Sequence, residues 1–269
     1  NYKFLDPDDR MIVYEPDTHK ENLLTADYVV ILDISDWERL KEVGLTVKDL
    51  RIKKICIDHH PPQDKFGDIN LIDTEACSTG EIVYDLIRFC NGIINNRIAE
   101  ALYTSIVTDT GSFKFSNTNA RAYTIAGELV NAGAKPQEVY QKIYEHQAVS
   151  KVKLLGYVLY NLQYEENGRI AWIKVSKNTM DAIGAKPQDT EGFADFPRMI
   201  DGVEIIIMFI ELDKDRIKVS LRSKGNYVIN QIAQKLGGGG HAYAAGVLVK
   251  GSLNEYIHKI LEETIKLFK

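Results

Sequence analysis

The sequence predicts an α/β protein in two parts, a parallel-sheet domain followed by a smaller α+β domain, and three observations lead there. From Tyr28 to about Thr110, short apolar runs alternate with stretches of helical periodicity, the pattern of βαβ units around a largely parallel sheet. Later in the chain the apolar runs are joined by short polar turns, as in hairpins. The length of 269 residues also exceeds the roughly 100 to 150 typical of one domain. A boundary is expected near residue 150, giving domains over 1–150 and 151–269.

In the first part, Tyr28-Val29-Val30-Ile31-Leu32 and Lys54-Ile55-Cys56-Ile57 are the clearest strands, with a helix-like stretch from Asp36 to Val43 between them. Ser78 or Thr79 can cap a helix running through Ile82, Val83, Leu86 and Ile87, because a side-chain oxygen accepts one of the free N–H groups of a first turn. Further helices are predicted over Arg97 to Val107, Ala120 to Ala132 and Pro136 to Tyr144. In the second part, a polar helical stretch from Glu145 to Leu155 leads into a hairpin of Tyr157 to Tyr164 with Arg169 to Val175, turned by Glu165-Glu166-Asn167-Gly168. A second hairpin joins Val203 to Leu212 with Arg216 to Leu221 through Asp213-Lys214-Asp215, and helices follow at Tyr227 to Leu236 and Leu253 to Phe268.

The composition, 45% hydrophobic and 26% charged, excludes a disordered chain. The longest apolar run, Ile205 to Ile210, is far short of the roughly 20 residues that span a bilayer, so no membrane association is expected. The first residues lack the basic and apolar regions of a signal peptide. Cys56, Cys77 and Cys90 form no CxxC pair and are expected to be reduced, small core residues of a cytoplasmic protein. A net charge of −5 disfavours coating long nucleic acid through a basic face, but leaves small anions open.

In open α/β sheets, ligands bind at the carboxyl ends of the strands. Both clear strands end there on an acid: Asp33 closes the first, and Asp58 closes the second and is followed at once by His59 and His60. A lone strand-terminal Asp is more often a turn cap, but a His pair directly after Asp has fewer structural explanations, since adjacent strand residues point to opposite faces. Carboxylate with imidazole suits Mn²⁺ or another octahedral divalent ion, and such ions activate phosphate esters and water. Asp109, in Val107-Thr108-Asp109-Thr110-Gly111, can complete the cluster, whereas His19, His146 and His258 lie in polar helical contexts and are expected to be solvated.

A second constellation is Gly237-Gly238-Gly239-Gly240-His241, after a predicted helix and before Ala242-Tyr243-Ala244-Ala245-Gly246. One glycine is enough to cap a helix, so four favour, over a merely flexible turn, a backbone that something approaches closely, with N–H groups able to hold an anion. Arg222-Ser223 stands at a strand end, where a bidentate phosphate contact competes with a plain surface arginine, and spacing by itself favours the surface residue. Phe193 is a weaker candidate for packing against a base, and equally a core residue.

Taken together, Val30-Ile31-Leu32-Asp33, Ile57-Asp58-His59-His60-Pro61, Thr108-Asp109-Thr110-Gly111 and the glycine-rich segment resemble the DHH/DHHA1 phosphoesterases, which include nanoRNases, pAp phosphatases and small-dinucleotide phosphodiesterases. The resemblance covers essentially the whole chain. It implies a DHH metal-binding catalytic domain, a DHHA1 substrate-binding domain and a cleft between them. It further implies two divalent ions, Mn²⁺ being the expected one, with Asp33 bridging both and His59 and Asp109 as ligands of one of them. His60 would face the scissile phosphate and Asp58 would orient its neighbours, while Arg222, Ser223, Gly239, Gly240 and His241 would bind the nucleotide. The family's first motif, a strand followed by His and two spaced aspartates, has no counterpart in Asn1 to Glu15. An N-terminal segment is therefore expected to be missing, and the chain by itself to be weak or inactive.

The expected activity is hydrolysis of short 5′-phosphorylated dinucleotides such as pApA, or of nanoRNA, to nucleoside monophosphates, together with pAp dephosphorylation. A homodimer is an open alternative to a monomer. Three other functions compete. Family II inorganic pyrophosphatases share the Asp-His-His chemistry but carry a different C-terminal domain. A processive single-strand exonuclease needs a long groove that the acidic balance does not support. A nucleotide-binding or regulatory protein with an incomplete metal site would follow from the missing motif.

Overall fold

Two runs that read as strands in the sequence pair directly: Tyr28–Leu32 (β1) lies parallel to Lys53–Asp58 (β2), with Ile31 against Cys56 and Leu32 against Ile57. These strands belong to a computed structural model that describes residues 2–61 and 66–269, and that divides into two compact units after His146. A third parallel strand, Ile69–Ile72 (β3), completes the first sheet in the order β1-β2-β3. No strand was expected there, since four largely exposed residues carry little periodicity.

Helices of the first unit are Pro16–Leu24 (α1), Lys41–Asp49 (α2), Thr79–Phe89 (α3), Asn96–Asp109 (α4), Ala120–Asn131 (α5) and Pro136–Tyr144 (α6). The stretch expected to be helical from Asp36 to Val43 is instead a 3-10 turn, Glu38–Leu40, broken from α2 by left-handed Lys41 (φ 50°). The helix runs on to Asp49 because Gly44 and Val47 are its buried positions, and a side chain at Gly44 would meet Leu40 Cβ at 2.7 Å. Ser78, Asn95 and Asn119 each cap a helix through the side-chain oxygen. One cluster, including Leu102, Ile106, Ile125 and Leu129, binds the four helices α3 to α6 together; another, with Ile57, Ala76 and Ile82, seats α3 on the sheet.

The second unit comprises Val149–Tyr160 (α7), Gln163–Glu165 (β4), Ile170–Val175 (β5), Lys177–Ile183 (α8), Asp195–Arg198 (α9), Ile205–Glu211 (β6), Arg216–Ser223 (β7), Asn230–Gln234 (α10), Gly239–His241 (β8), Ala244–Lys250 (β9) and Leu253–Ile265 (α11). The strands form one sheet in the order β4-β5-β6-β7-β9-β8, parallel only at β5–β6. The first expected hairpin is corrected at its first arm: Tyr157 to Tyr160 belong to α7, and only Gln163–Glu165 are extended. Leu154 and Val158, four apart and both buried, place that segment on a helical face against the sheet, overriding its aromatic strand propensity. The predicted Tyr227 to Leu236 helix contracts to α10, and the last helix ends at Ile265 before a 3-10 turn.

Strand β6 is buried along Ile205 to Ile210, since α7 and α8 cover one face of the sheet and α10 and α11 the other. Phe193 is 1% exposed within this core, which removes it as a surface for a base. Among the described residues no helix is long and apolar enough to cross a membrane.

Cys56 and Cys77 are buried, but Cys90 is exposed at the end of α3, contrary to its expected core position: the buried face of α3 is spent before that last turn. Burial, with Asp58 nearby, pushes the Cys56 thiol up to about 11. Burial, with Glu81 beside it, pushes Cys77 up to about 12. Thiolates are the reactive form, so native protein treated with a maleimide at neutral pH is expected to label at Cys90 alone. Mass spectrometry of digests, with and without urea, measures this.

Candidate active site

The site is assembled at the carboxyl edge of the parallel strands. Asp33 follows β1 in a left-handed conformation (φ 63°), and its N–H donates to the Ile57 carbonyl at 3.0 Å, which ties the first acid to the strand that carries the second. Asp58, at the end of β2, is fully buried; its Oδ1 accepts from the His60 N–H at 3.1 Å and pairs with His60 Nδ1 at 2.7 Å. Burial by itself would raise the Asp58 pKa, but hydrogen bonds from the His60 ring and backbone and from Ser35 hold it below the ordinary range. His60 is thus fixed through one ring nitrogen by a charged partner, and Nε2 is the nitrogen left for a ligand.

His59 is oriented by the turn that enters α3: its Nδ1 lies 3.3 Å from the Ala76 carbonyl. With Nδ1–H directed at a carbonyl, the Nε2 lone pair points into the site, the usual arrangement of a metal-binding imidazole. Nε2 lies 3.7 Å from Asp33 Oδ1 and 4.0 Å from Asp109 Oδ2. Asp33, His59 and His60 offer ligand atoms within 4.8 Å of one another, so His60 stands in the same cluster that the resemblance reserved for metal ligands.

Asp109 ends α4, where Gly111, Ser112 and Phe113 turn the chain through three successive positive φ values. Burial raises the Asp109 pKa; His59 and His60 oppose the rise, and the negative charge of Asp33 adds to it. Asn117 holds this corner, its side-chain amide donating to the Asp109 carbonyl at 3.1 Å and the Cys77 carbonyl at 2.9 Å. Thr79 donates its hydroxyl to Asp33 Oδ1 at 2.8 Å. Neither Thr79 nor Asn117 was picked out as a site residue in the sequence, where Thr79 read only as a helix cap.

In the second unit, strand register decides which residues meet. Arg222 on β7 and His241 on β8 both pair with Ala244 on β9, so the three stand abreast with side chains on one face. Two strand spacings, about 9 to 10 Å, separate the backbones of Arg222 and His241, with Ala244 on the strand between them. Ser220, Gly246 and Gly239 form the next row. Ser223 faces the other way: it is buried and its hydroxyl accepts from the N–H groups of Gly225 and Tyr227 at 3.2 and 3.4 Å. The glycines admit β9 itself, since a Cβ at Gly238 would sit 2.4 Å from the Gly246 carbonyl, and one at Gly240 (φ 135°) 2.5 Å from that of Ala244. His19 differs from its expected solvation, being half-buried with Nδ1 accepting from the Glu15 N–H at 2.9 Å, while His146 and His258 are exposed.

The DHH family N-terminal domain matches residues 2–106, and the DHHA1 domain matches residues 168–269. The bifunctional oligoribonuclease and PAP phosphatase NrnA of Bacillus subtilis is 34% identical over 82% of this chain and 69% of its own length. The chain belongs to the DHH family. NrnA of Thermus thermophilus is 32% identical, over 90% of this chain and 71% of its own. The crystal structure of an exopolyphosphatase-related protein from Bacteroides fragilis superposes with a TM-score of 0.88 at 30% identity, covering 97% of this chain and 78% of that one. As a DHH-family member the chain is a phosphoesterase.

The residues fit the divalent ion that the family uses. Two carboxylates and two imidazoles converge, and Asp109, partly buried beside a second acid, carries a penalty that a cation would relieve. The tight β8–β9 contact has its own consequence. Gly238→Ala is expected to cost about 1 to 3 kcal/mol, because a methyl must displace backbone. Urea denaturation measures it.

Proposed function

We propose that the chain is a metal-dependent phosphodiesterase that cleaves short 5′-phosphorylated oligonucleotides, such as pApA, to nucleoside monophosphates, and that also dephosphorylates pAp. The observation that carries this is the cluster of Asp33, His59, His60 and Asp109 at the strand ends of a chain 34% identical to an oligoribonuclease and PAP phosphatase. The DHHA1 match of the second unit disfavours the pyrophosphatase alternative, and an acidic chain disfavours a long single-strand groove.

Asp33, His59 and Asp109 would hold a divalent ion, Mn²⁺ in this proposal; when bound, such an ion polarises a phosphoryl oxygen and lowers the pKa of water. The remaining work belongs to the chain. Asp58 keeps His60 aligned, and the free nitrogen of His60 hydrogen-bonds a non-bridging phosphate oxygen as charge develops on it. Water adds to phosphorus as the ester bond to the 3′ oxygen breaks, and that oxygen leaves with a proton. In the second unit, Arg222 and His241 bind a terminal phosphate across the gap at Ala244, aided by the backbone at Gly239 and Gly240. Free thiols support a cytoplasmic setting.

The test is hydrolysis of pApA, a 5-mer RNA, a 24-mer RNA, pAp and pyrophosphate with Mn²⁺. Faster cleavage of the 24-mer or of pyrophosphate would overturn the assignment. EDTA should abolish turnover and Mn²⁺ restore it. His59→Ala is expected to lower kcat by about a hundredfold or more, and Arg222→Ala to act mainly on KM. Full activity of His59→Ala would refute the metal site.

A further inference from the structure

Building on the assignment of Asp33 as a metal ligand, we infer that Thr79 is a positioning residue of the metal site: its hydroxyl fixes the Asp33 carboxylate in the orientation that receives the cation. Asp33 stands on an exposed, left-handed corner after β1, with half its side chain in solvent. A carboxylate there can turn about two side-chain bonds, and packing does little to stop it. Among the described residues its one hydrogen bond comes from Thr79 Oγ1, at 2.8 Å. That bond fixes Oδ1, the same oxygen that faces His59 Nε2 at 3.7 Å and His60 Nδ1 at 3.8 Å.

Thr79 has no competing duty in its own helix. Ser78 is the N-cap and accepts from the Glu81 N–H, so the Thr79 hydroxyl is free of capping. It is also buried, at 6% exposure, so leaving it without an acceptor would be costly and the bond to Asp33 is its outlet. The backbone beneath it is held from three sides: the Cys77 N–H donates to Glu81 Oε2 at 2.8 Å, the Gly80 N–H donates to Ser105 Oγ at 3.2 Å, and Glu81 is paired with Arg121 at 3.0 Å. A donor on so rigid a turn sets the carboxylate before any ion arrives, as preorganised ligands require. The same turn supplies the Ala76 carbonyl to His59 and the Cys77 carbonyl to Asn117, which in turn holds Asp109. One four-residue segment therefore reaches all three ligands, and Thr79 is its contact to Asp33.

The experiment is Mn²⁺ titration calorimetry on the full chain for wild type, Thr79→Val, Thr79→Ser and Asp33→Ala, with metal-free melting curves for each. Thr79→Val keeps the shape and loses the donor, so Mn²⁺ affinity is expected to fall by about tenfold to a hundredfold, the usual loss for partners of metal ligands, while the metal-free Tm stays near wild type. Thr79→Ser returns the hydroxyl and should restore affinity to within about threefold of wild type. Wild-type affinity in Thr79→Val, or no recovery in Thr79→Ser, overturns the proposal while Asp33→Ala still loses binding. Wild-type affinity in Asp33→Ala instead overturns the metal assignment itself, a separate failure. Should Thr79→Val not fold, Thr79→Ala carries the same expectation and the same refuting outcome.

Discussion

The parallel pairing of β1 with β2, in the register that sets Leu32 against Ile57, is the constraint on which the candidate site depends. Parallel strands end on the same side, so acids that close them emerge together even though 24 residues separate Asp33 from Asp58 in the chain. The bond from the Asp33 N–H to the Ile57 carbonyl carries the register one residue past the strand, where Asp33 takes its left-handed turn beside the imidazoles. A slip of one residue would reverse the faces of β1, exposing Ile31 and turning Asp33 away.

Given that edge, the turn from Ala76 to Thr79 decides how the side chains of the candidate site are held. It offers a carbonyl to His59, a hydroxyl to Asp33 and, through Asn117, an anchor to Asp109. Its own rigidity comes from the cap of α3 and from close packing on α4, where a side chain at Gly80 would strike Ser105 at 2.7 Å. The packed helices of the first unit thus place a set of polar atoms around an anionic cluster. The raised pKa of Asp109 and the depressed pKa of Asp58 follow from what each finds there: burial beside a second acid for one, donors from His60 and Ser35 for the other. Two carboxyls of one site are thereby given different chemistry by their surroundings.

The second unit solves a different problem with the same period-two logic. Alternation along β7 sends Ile217, Val219 and Leu221 into the core under α10 and α11, which leaves Lys218, Ser220 and Arg222 on the opposite face. Pairing then brings His241 level with Arg222, and small residues on β9 leave space between them. The glycines make that arrangement possible by letting β8 lie close against β9. Ser223, one residue past Arg222, is drawn into the turn that follows.

Much of this was legible in the chain by itself. Two apolar runs ending on Asp33 and on Asp58-His59-His60 determined the parallel sheet, the strand-end site and its residue types, because strand pattern and terminal acids are local features. Short or overridden segments were not legible: β3 has four residues, and Tyr157 to Tyr160 carry strand-like aromatics yet are helical because Leu154 and Val158 pack on a sheet formed much later in the chain. Nor could local pattern reveal that Thr79 reaches Asp33 across 46 positions, that Asn117 spans Cys77 and Asp109, or that Arg222 shares a face with His241 and turns away from Ser223. The sequence determined which groups could do the chemistry, through spacing along one strand or helix. Only the tertiary structure decided which of them meet, because hydrogen bonds between distant segments and the register of paired strands exist only once the packed elements are in place.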